Sequence, residues 1–230
     1  MDLSQYFTSS DITGIAPEII LTLTALVILT LEMARVTRPG IILLVAAFGL
    51  VLAGAAIVHG GTGDKILFGG MLYLSKFSMF FDFLYISVGL ATMIISQGYL
   101  EKMGSESRGE YPALILFSVI GMMLMTRAID LVMVFLGLEL LSLSLYVLVG
   151  FLRHNLYSNE SGLKYLLLGA FATGFFLFGA ALTYGATGTT NFSGIASAIA
   201  SGTILSDVYL FLGIGLLLIG FAFKLSLIHI

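Results

Sequence analysis

Asp207-Val-Tyr-Leu-Phe-Leu-Gly-Ile-Gly-Leu-Leu-Leu-Ile-Gly-Phe-Ala-Phe-Lys224 is apolar between its two charges and continues as Leu-Ser-Leu-Ile-His-Ile230. A helix rising about 1.5 Å per residue covers about 30 Å of hydrocarbon with a run of this length. Lys224 is then an ionisable group inside a membrane span. Such a group costs about 2.5 to 3.5 kcal/mol on insertion scales and marks a proton or ion path by default. The alternative is a lysine snorkelling from a span end to the interface.

The rest of the chain repeats this pattern. Hydrophobic residues make up 59% of 230 residues and charged ones only 10%, and the mean hydropathy is +1.08, far from the roughly 25% charge of soluble domains. Further spans are expected near 15–34, 41–59, 78–99, 112–127, 130–151 and 160–184, with the last at 206–230. All must be helices, because backbone groups facing lipid have to be satisfied within their own segment. The fold class is all-α, a polytopic transmembrane bundle treated as one domain over 1–230. Glycines inside the spans, among them Gly121, Gly137, Gly169, Gly179 and Gly213, allow close helix approach. The segment Met1 to Ile15 lacks the basic start and cleavage site of a signal peptide, so the first span is expected to stay in the product. Between the last two spans, Phe192 to Ala200 reads as a short interfacial helix.

A net charge of -3 without a basic stretch argues against nucleic acid as a partner. The absence of cysteine excludes disulfides, thiolate metal sites and iron–sulfur clusters in this chain. With the N-terminus outside, the inner loops carry Arg35, Arg38, Lys102, Arg108 and Arg153, and the outer ones Lys65, Lys76 and Arg127. That asymmetry favours the outside start.

Two more charges interrupt apolar spans. Glu139 lies halfway along Asp130-Leu-Val-Met-Val-Phe-Leu-Gly-Leu-Glu139-Leu-Leu-Ser-Leu-Ser-Leu-Tyr-Val-Leu-Val-Gly150 with no basic residue within a turn. It is either a structural carboxyl bonded to Ser142 or a neighbour, or a carboxylate that tunes a lysine on another helix. Lys164 follows Ser158-Asn-Glu-Ser-Gly-Leu, read as a helix start capped by Ser158 or Asn159. It admits a snorkelling reading and a functional one equally. Burial disfavours the ammonium form of a lysine and a nearby carboxylate restores it, so moving the carboxylate can load or release a proton. Asp82 is ambiguous between a helix-start charge and a supporting polar group, and stays outside the candidate site.

The segments Phe135-Leu-Gly-Leu-Glu139, Ser158-Asn-Glu-Ser-Gly-Leu-Lys164-Tyr and Gly185-Ala-Thr-Gly-Thr-Thr resemble the subunit N family of bacterial NADH-quinone oxidoreductase, complex I, as do Ala16-Pro-Glu-Ile-Ile-Leu and Ser96-Gln-Gly-Tyr-Leu100. The resemblance runs from about Ala16 to Leu227. It implies an antiporter-like fold and a proton-translocating subunit of the bacterial inner membrane, beside other complex I membrane subunits and the lipid bilayer. NADH, FMN, iron–sulfur clusters and quinone are implied for other subunits, and no cofactor for this one. By the same resemblance Glu139 matches the family's fifth-helix glutamate, Lys224 the lysine it modulates on a broken seventh helix, and Lys164 a further lysine on the intervening helix. The sequence departs from the family at Ser144, where proline is usual, which puts a kink there in doubt. It departs again at Ile228-His229-Ile230, where the family continues with Val-Pro-Phe-His and further helices, so a truncated product or incomplete sequence is expected. A multisubunit sodium/proton antiporter subunit and a non-conducting fragment remain as alternatives.

Overall fold

In the computed structural model, residues 8–34, 39–60, 63–102 and 109–226 are described. Within them the helices are Ser9–Gly14 (α1), Ala16–Met33 (α2), Pro39–His59 (α3), Lys76–Lys102 (α4), Glu110–Arg127 (α5), Leu131–Val149 (α6), Leu156–Thr187 (α7), Phe192–Ser201 (α8) and Asp207–Ser226 (α9). Seven of them, α2 to α7 and α9, are long and apolar enough to span a bilayer. The short helix expected near Phe192 is α8. The four residues of the last expected span beyond Ser226 lie outside the described residues, as do Arg35, Arg38 and Arg108 of the charge count. The Ser96–Leu100 and Ala16 segments fall on α4 and α2.

Apolar side chains face outward as well as inward: Leu44 is 70% exposed, Phe171 71% and Phe211 75%. Water would not tolerate so many exposed apolar residues, but lipid does. The interior divides in two. Leu21, Ala25, Ile28, Ala46, Leu50, Ile86, Leu116 and Met123 form a core shared by α2, α3, α4 and α5. Leu131, Val134, Phe176 and Ala180 form a second one between α6 and α7, against which Leu217 and Phe221 of α9 pack. α5 packs on α6 and so joins the two groups. There the helices touch at backbone distance, since a Cβ on Gly137 would stand 2.8 Å from Met125 N.

Two local readings change. The helix start assigned to Ser158 or Asn159 is Asn155, whose side chain accepts from the amides of Tyr157 and Ser158. Asn155 meets the free amides first, and the Ser158 hydroxyl donates instead to the Val149 carbonyl at 2.7 Å. Arg127, counted as an outer-loop charge, is the last residue of α5 and is 1% exposed. At Ser144 the helix is unbroken, and the hydroxyl donates to Leu140 O at 2.9 Å.

A two-stranded antiparallel hairpin, Lys65–Leu67 (β1) and Leu72–Leu74 (β2), joins α3 to α4. Its turn holds Gly69 at φ 60 and Gly70 at φ 100, which glycine adopts without a Cβ penalty, and Phe68 at φ 51, a left-handed conformation that costs a residue with a Cβ. The hairpin is tied to the other connections at this end. Ile129 N donates to Met71 O at 3.0 Å, Phe192 N to Ile129 O at 3.0 Å and Asn191 Nδ2 to Gly70 O at 2.6 Å. The α3–α4, α5–α6 and α7–α8 connections therefore share one end of the bundle, as strict alternation of the spans requires.

Asp11 in α1 fastens the hairpin, accepting from Phe68 N at 2.8 Å and from the Thr8 amide and hydroxyl at 2.7 Å each. The Phe68 amide first, then Thr8, hold its carboxyl below the usual aspartate value of 3.8. A depressed folded-state value contributes stability that is complete above 3.8 and is lost as pH falls through the lower folded value. Asp11→Asn should therefore loosen the hairpin at neutral pH and make no difference at strongly acid pH, measured as protease cleavage within 63–74 in membranes.

Candidate functional site: a lysine–glutamate pair with hydroxyl partners

Glu139, Ser142 and Tyr146 recur at three- and four-residue spacing and so lie on one face of α6. Lys224 of α9 reaches that face. Its Nζ donates to Ser142 Oγ at 2.7 Å and to the Tyr146 hydroxyl at 2.8 Å. It lies 3.7 Å from Glu139 Oε1, with the two side chains 10% and 22% exposed. The ammonium also stands 5.3 Å from the centre of the Tyr146 ring. Thr173 of α7 donates to the same Glu139 oxygen at 2.5 Å. Three helices thus converge on one carboxylate and one ammonium.

Small residues set this convergence. α7 and α9 meet where a Cβ on Gly179 would stand 2.7 Å from Gly213 O, which brings α9 close enough for Lys224 to cross to α6. Tyr146 occupies the space over Gly169, where a Cβ would collide with its hydroxyl, and meets the Tyr165 ring edge-on at 4.7 Å. Gly169→Leu should push the phenol off Lys224 and reproduce Tyr146→Phe. Both should slow proton pumping by less than about tenfold, an effect below about 1.4 kcal/mol on the barrier, because Ser142 keeps its own hydrogen bond to Lys224. Pumping rates in vesicles holding the full-length chain check this.

The chemistry of the arrangement follows from the groups. The lysine ammonium has three protons to donate, and the structure gives two to hydroxyls and points the group at the carboxylate. Serine and tyrosine hydroxyls both donate and accept, so each can pass a proton onward.

Lys164 is not brought into this cluster. It pairs with Glu160 one turn earlier on α7, both side chains being more than half exposed, at 56% and 59%. It precedes Thr173 by about two and a half helical turns, which places it on the opposite face of α7.

The sequence reading did not identify Tyr146 or Thr173. Tyr146 shares the Glu139 and Ser142 helical face, a signal present in the spacing. Thr173 has no such signal, because its contact depends on how α7 is rotated. The cluster of Arg127, Glu18 and Asp82 also went unread as a unit. Arg127 donates to Asp82, to Glu18 and to Gly14 O at 3.1 Å, and the three side chains are 1%, 7% and 0% exposed for Arg127, Glu18 and Asp82.

The family described as "NADH:quinone oxidoreductase/Mrp antiporter, TM" matches residues 128–230, the part that carries the cluster around Lys224. NADH-quinone oxidoreductase subunit N of Trichlorobacter lovleyi is 39% identical over 98% of this chain and 46% of its own length. The chain belongs to this family. Subunit N of Rhodospirillum rubrum is 40% identical over 91% of the chain and 43% of that protein. The antiporter-like fold extends to solved structures. A chain of respiratory complex I from Thermus thermophilus with bound aureothin superposes with a TM-score of 0.70 at 29% identity, over 90% of this chain and 43% of that one. A chain of the archaeal membrane-bound sulfane sulfur reductase gives 0.76 at 20% identity, over 92% and 44%, a likeness of fold alone. This antiporter-like chain spans about half the length of the curated relatives it matches.

Proposed function

We propose that this chain is a proton-translocating membrane subunit of respiratory NADH-quinone oxidoreductase. The observation that carries the reading is Lys224, held by Ser142 and Tyr146 at 3.7 Å from Glu139 inside the apolar bundle. An adjacent carboxylate stabilises an ammonium, so withdrawing it favours release of the proton. A shift between α6 and α9 alters the Glu139–Lys224 distance and so loads or unloads Lys224, with Ser142 and Tyr146 as the first acceptors. Lys164, on the far face of α7, serves as an accessory proton carrier. Water completes the path between these groups.

The energy comes from NADH oxidation and quinone reduction in other subunits, which hold FMN and iron–sulfur clusters. This chain has no cysteine, and no group of His, Asp and Glu among its described residues could hold a metal. Its partners are the neighbouring membrane subunits and the bilayer of the bacterial inner membrane. The N-terminus is outside: with Arg127 removed from the loop count, the hairpin end keeps only Lys65 and Lys76 of its three basic residues, which strengthens the asymmetry. The spans act as one transmembrane domain.

Glu139→Gln, placed in the full-length complex, should slow NADH-driven proton pumping several-fold with assembly intact. Unchanged pumping would remove Glu139 from the path. The family description also covers Mrp antiporters, where a sodium gradient would drive the same residues. Pumping that follows sodium and ignores NADH would select that reading.

A further inference from the structure

At the hairpin end of the bundle, away from Lys224, Arg127 is enclosed by two carboxylates. Glu18 comes from the first turn of α2, Asp82 from the second turn of α4 and Arg127 from the end of α5. Two anions against one cation would leave a negative charge in a site where all three side chains are at least nine-tenths buried. Uncompensated buried charge is strongly disfavoured, and the group neutralises by binding a proton instead.

The hydrogen bonding carries the same imbalance. Arg127 uses one oxygen of each carboxylate, and the other two, Glu18 Oε2 and Asp82 Oδ1, are buried and have no hydrogen-bond partner. Two orphaned carboxylate oxygens beside one guanidinium are what a bound proton would relieve. Asp82 and Arg127 also line a cavity of about 20 Å³, with Thr13, Gly14, Gly60 and Gly63 among its other walls. About 10 to 15 Å³ is enough for one water. Thr13 and Gly63 are themselves exposed, so the cavity borders the aqueous edge of the bundle.

We propose that Glu18 and Asp82 together hold one exchangeable proton beside Arg127, delivered through this cavity from the aqueous phase at the hairpin end. The ligand is a proton and not a metal cation, because the cavity is lined by one carboxylate, Asp82, beside Arg127, a donor set too poor in oxygens to hold a metal ion. Among the described residues that line the cavity, Asp82 and Arg127 are the charged ones. α3 contributes Ala56 and Ile57 to the cavity and the hairpin contributes Leu74, while Lys65 extends to Gly60 O at the rim and Asp11 is engaged by Phe68 and Thr8. The site is separate from the Lys224 cluster. Asp130, at the start of α6 beside this end, precedes Glu139 by about 13 Å of helix rise.

The test is infrared difference spectroscopy on the intact complex containing the full-length chain, in water and in deuterated water. The expected result is a carbonyl stretch of a protonated carboxylic acid at neutral pH, shifted by deuteration and lost in either Glu18→Gln or Asp82→Asn. Each of these variants leaves one carboxylate for Arg127 and so keeps the site neutral. Should neither assemble, Asp82→Glu keeps the charge and should move the band. Bands unchanged in every variant that assembles would overturn the proposal. So would thermal stabilisation of the wild-type complex by sodium that Asp82→Asn abolishes, since that would show a cation in the proton's place.

Discussion

Lys224→Ala in the full-length complex is expected to lower NADH-driven proton pumping by more than about tenfold, the effect of about 1.4 kcal/mol on the barrier. Two losses combine. The mobile proton of the relay disappears, and Ser142 and Tyr146 lose the donor that orients them. Glu139 is also left without its ammonium at 22% exposure. Removing one member of a buried pair costs about 3 to 5 kcal/mol, a figure reduced here by that residual exposure, so weaker assembly is expected as well. The double variant Lys224→Ala with Glu139→Gln separates the two effects. It should recover assembly, because no unpaired charge remains, and it should not recover pumping. Pumping at the wild-type rate in either variant would rule out Lys224 as the relay.

Arg127→Met should have the largest structural effect in the chain. It leaves Glu18 and Asp82 facing each other without a cation, both buried, and it cuts the hydrogen bond to Gly14 O that ties α5 to the junction of α1 and α2. The expected cost is about 3 to 5 kcal/mol, enough to deplete the chain from assembled complexes on a native gel. Adding Glu18→Gln and Asp82→Asn to Arg127→Met should restore much of the assembly, since a neutral cluster of similar volume carries little penalty. A single Arg127→Met chain that assembles normally would show that α2, α4 and α5 are held by their apolar core alone.

The existence of seven long apolar helices was legible because hydropathy and helix length are local quantities. Ala16–Met33 and Glu110–Arg127 fall within about two residues of the sequence reading. Phe192–Ser201 was legible too, from its turn-rich flank. The start of α7 was misread because three polar residues, Asn155, Ser158 and Asn159, could each cap it, and only the chain path after α6 selects the first.

Charge placement divides along the same line. The cost of an ion in hydrocarbon depends on composition around it, so the sequence alone singled out Glu139, Lys164 and Lys224 and committed the chain to a bundle of membrane-spanning helices. What a charge faces depends on helix rotation and on neighbours far away in the chain. Only the tertiary structure therefore paired Lys224 with Ser142, Tyr146 and Glu139, left Lys164 on an outer face with Glu160, and withdrew Arg127 from a loop into a buried cluster with Glu18 and Asp82. Span ends look alike in sequence whether they meet water or one another, and packing decides between the two.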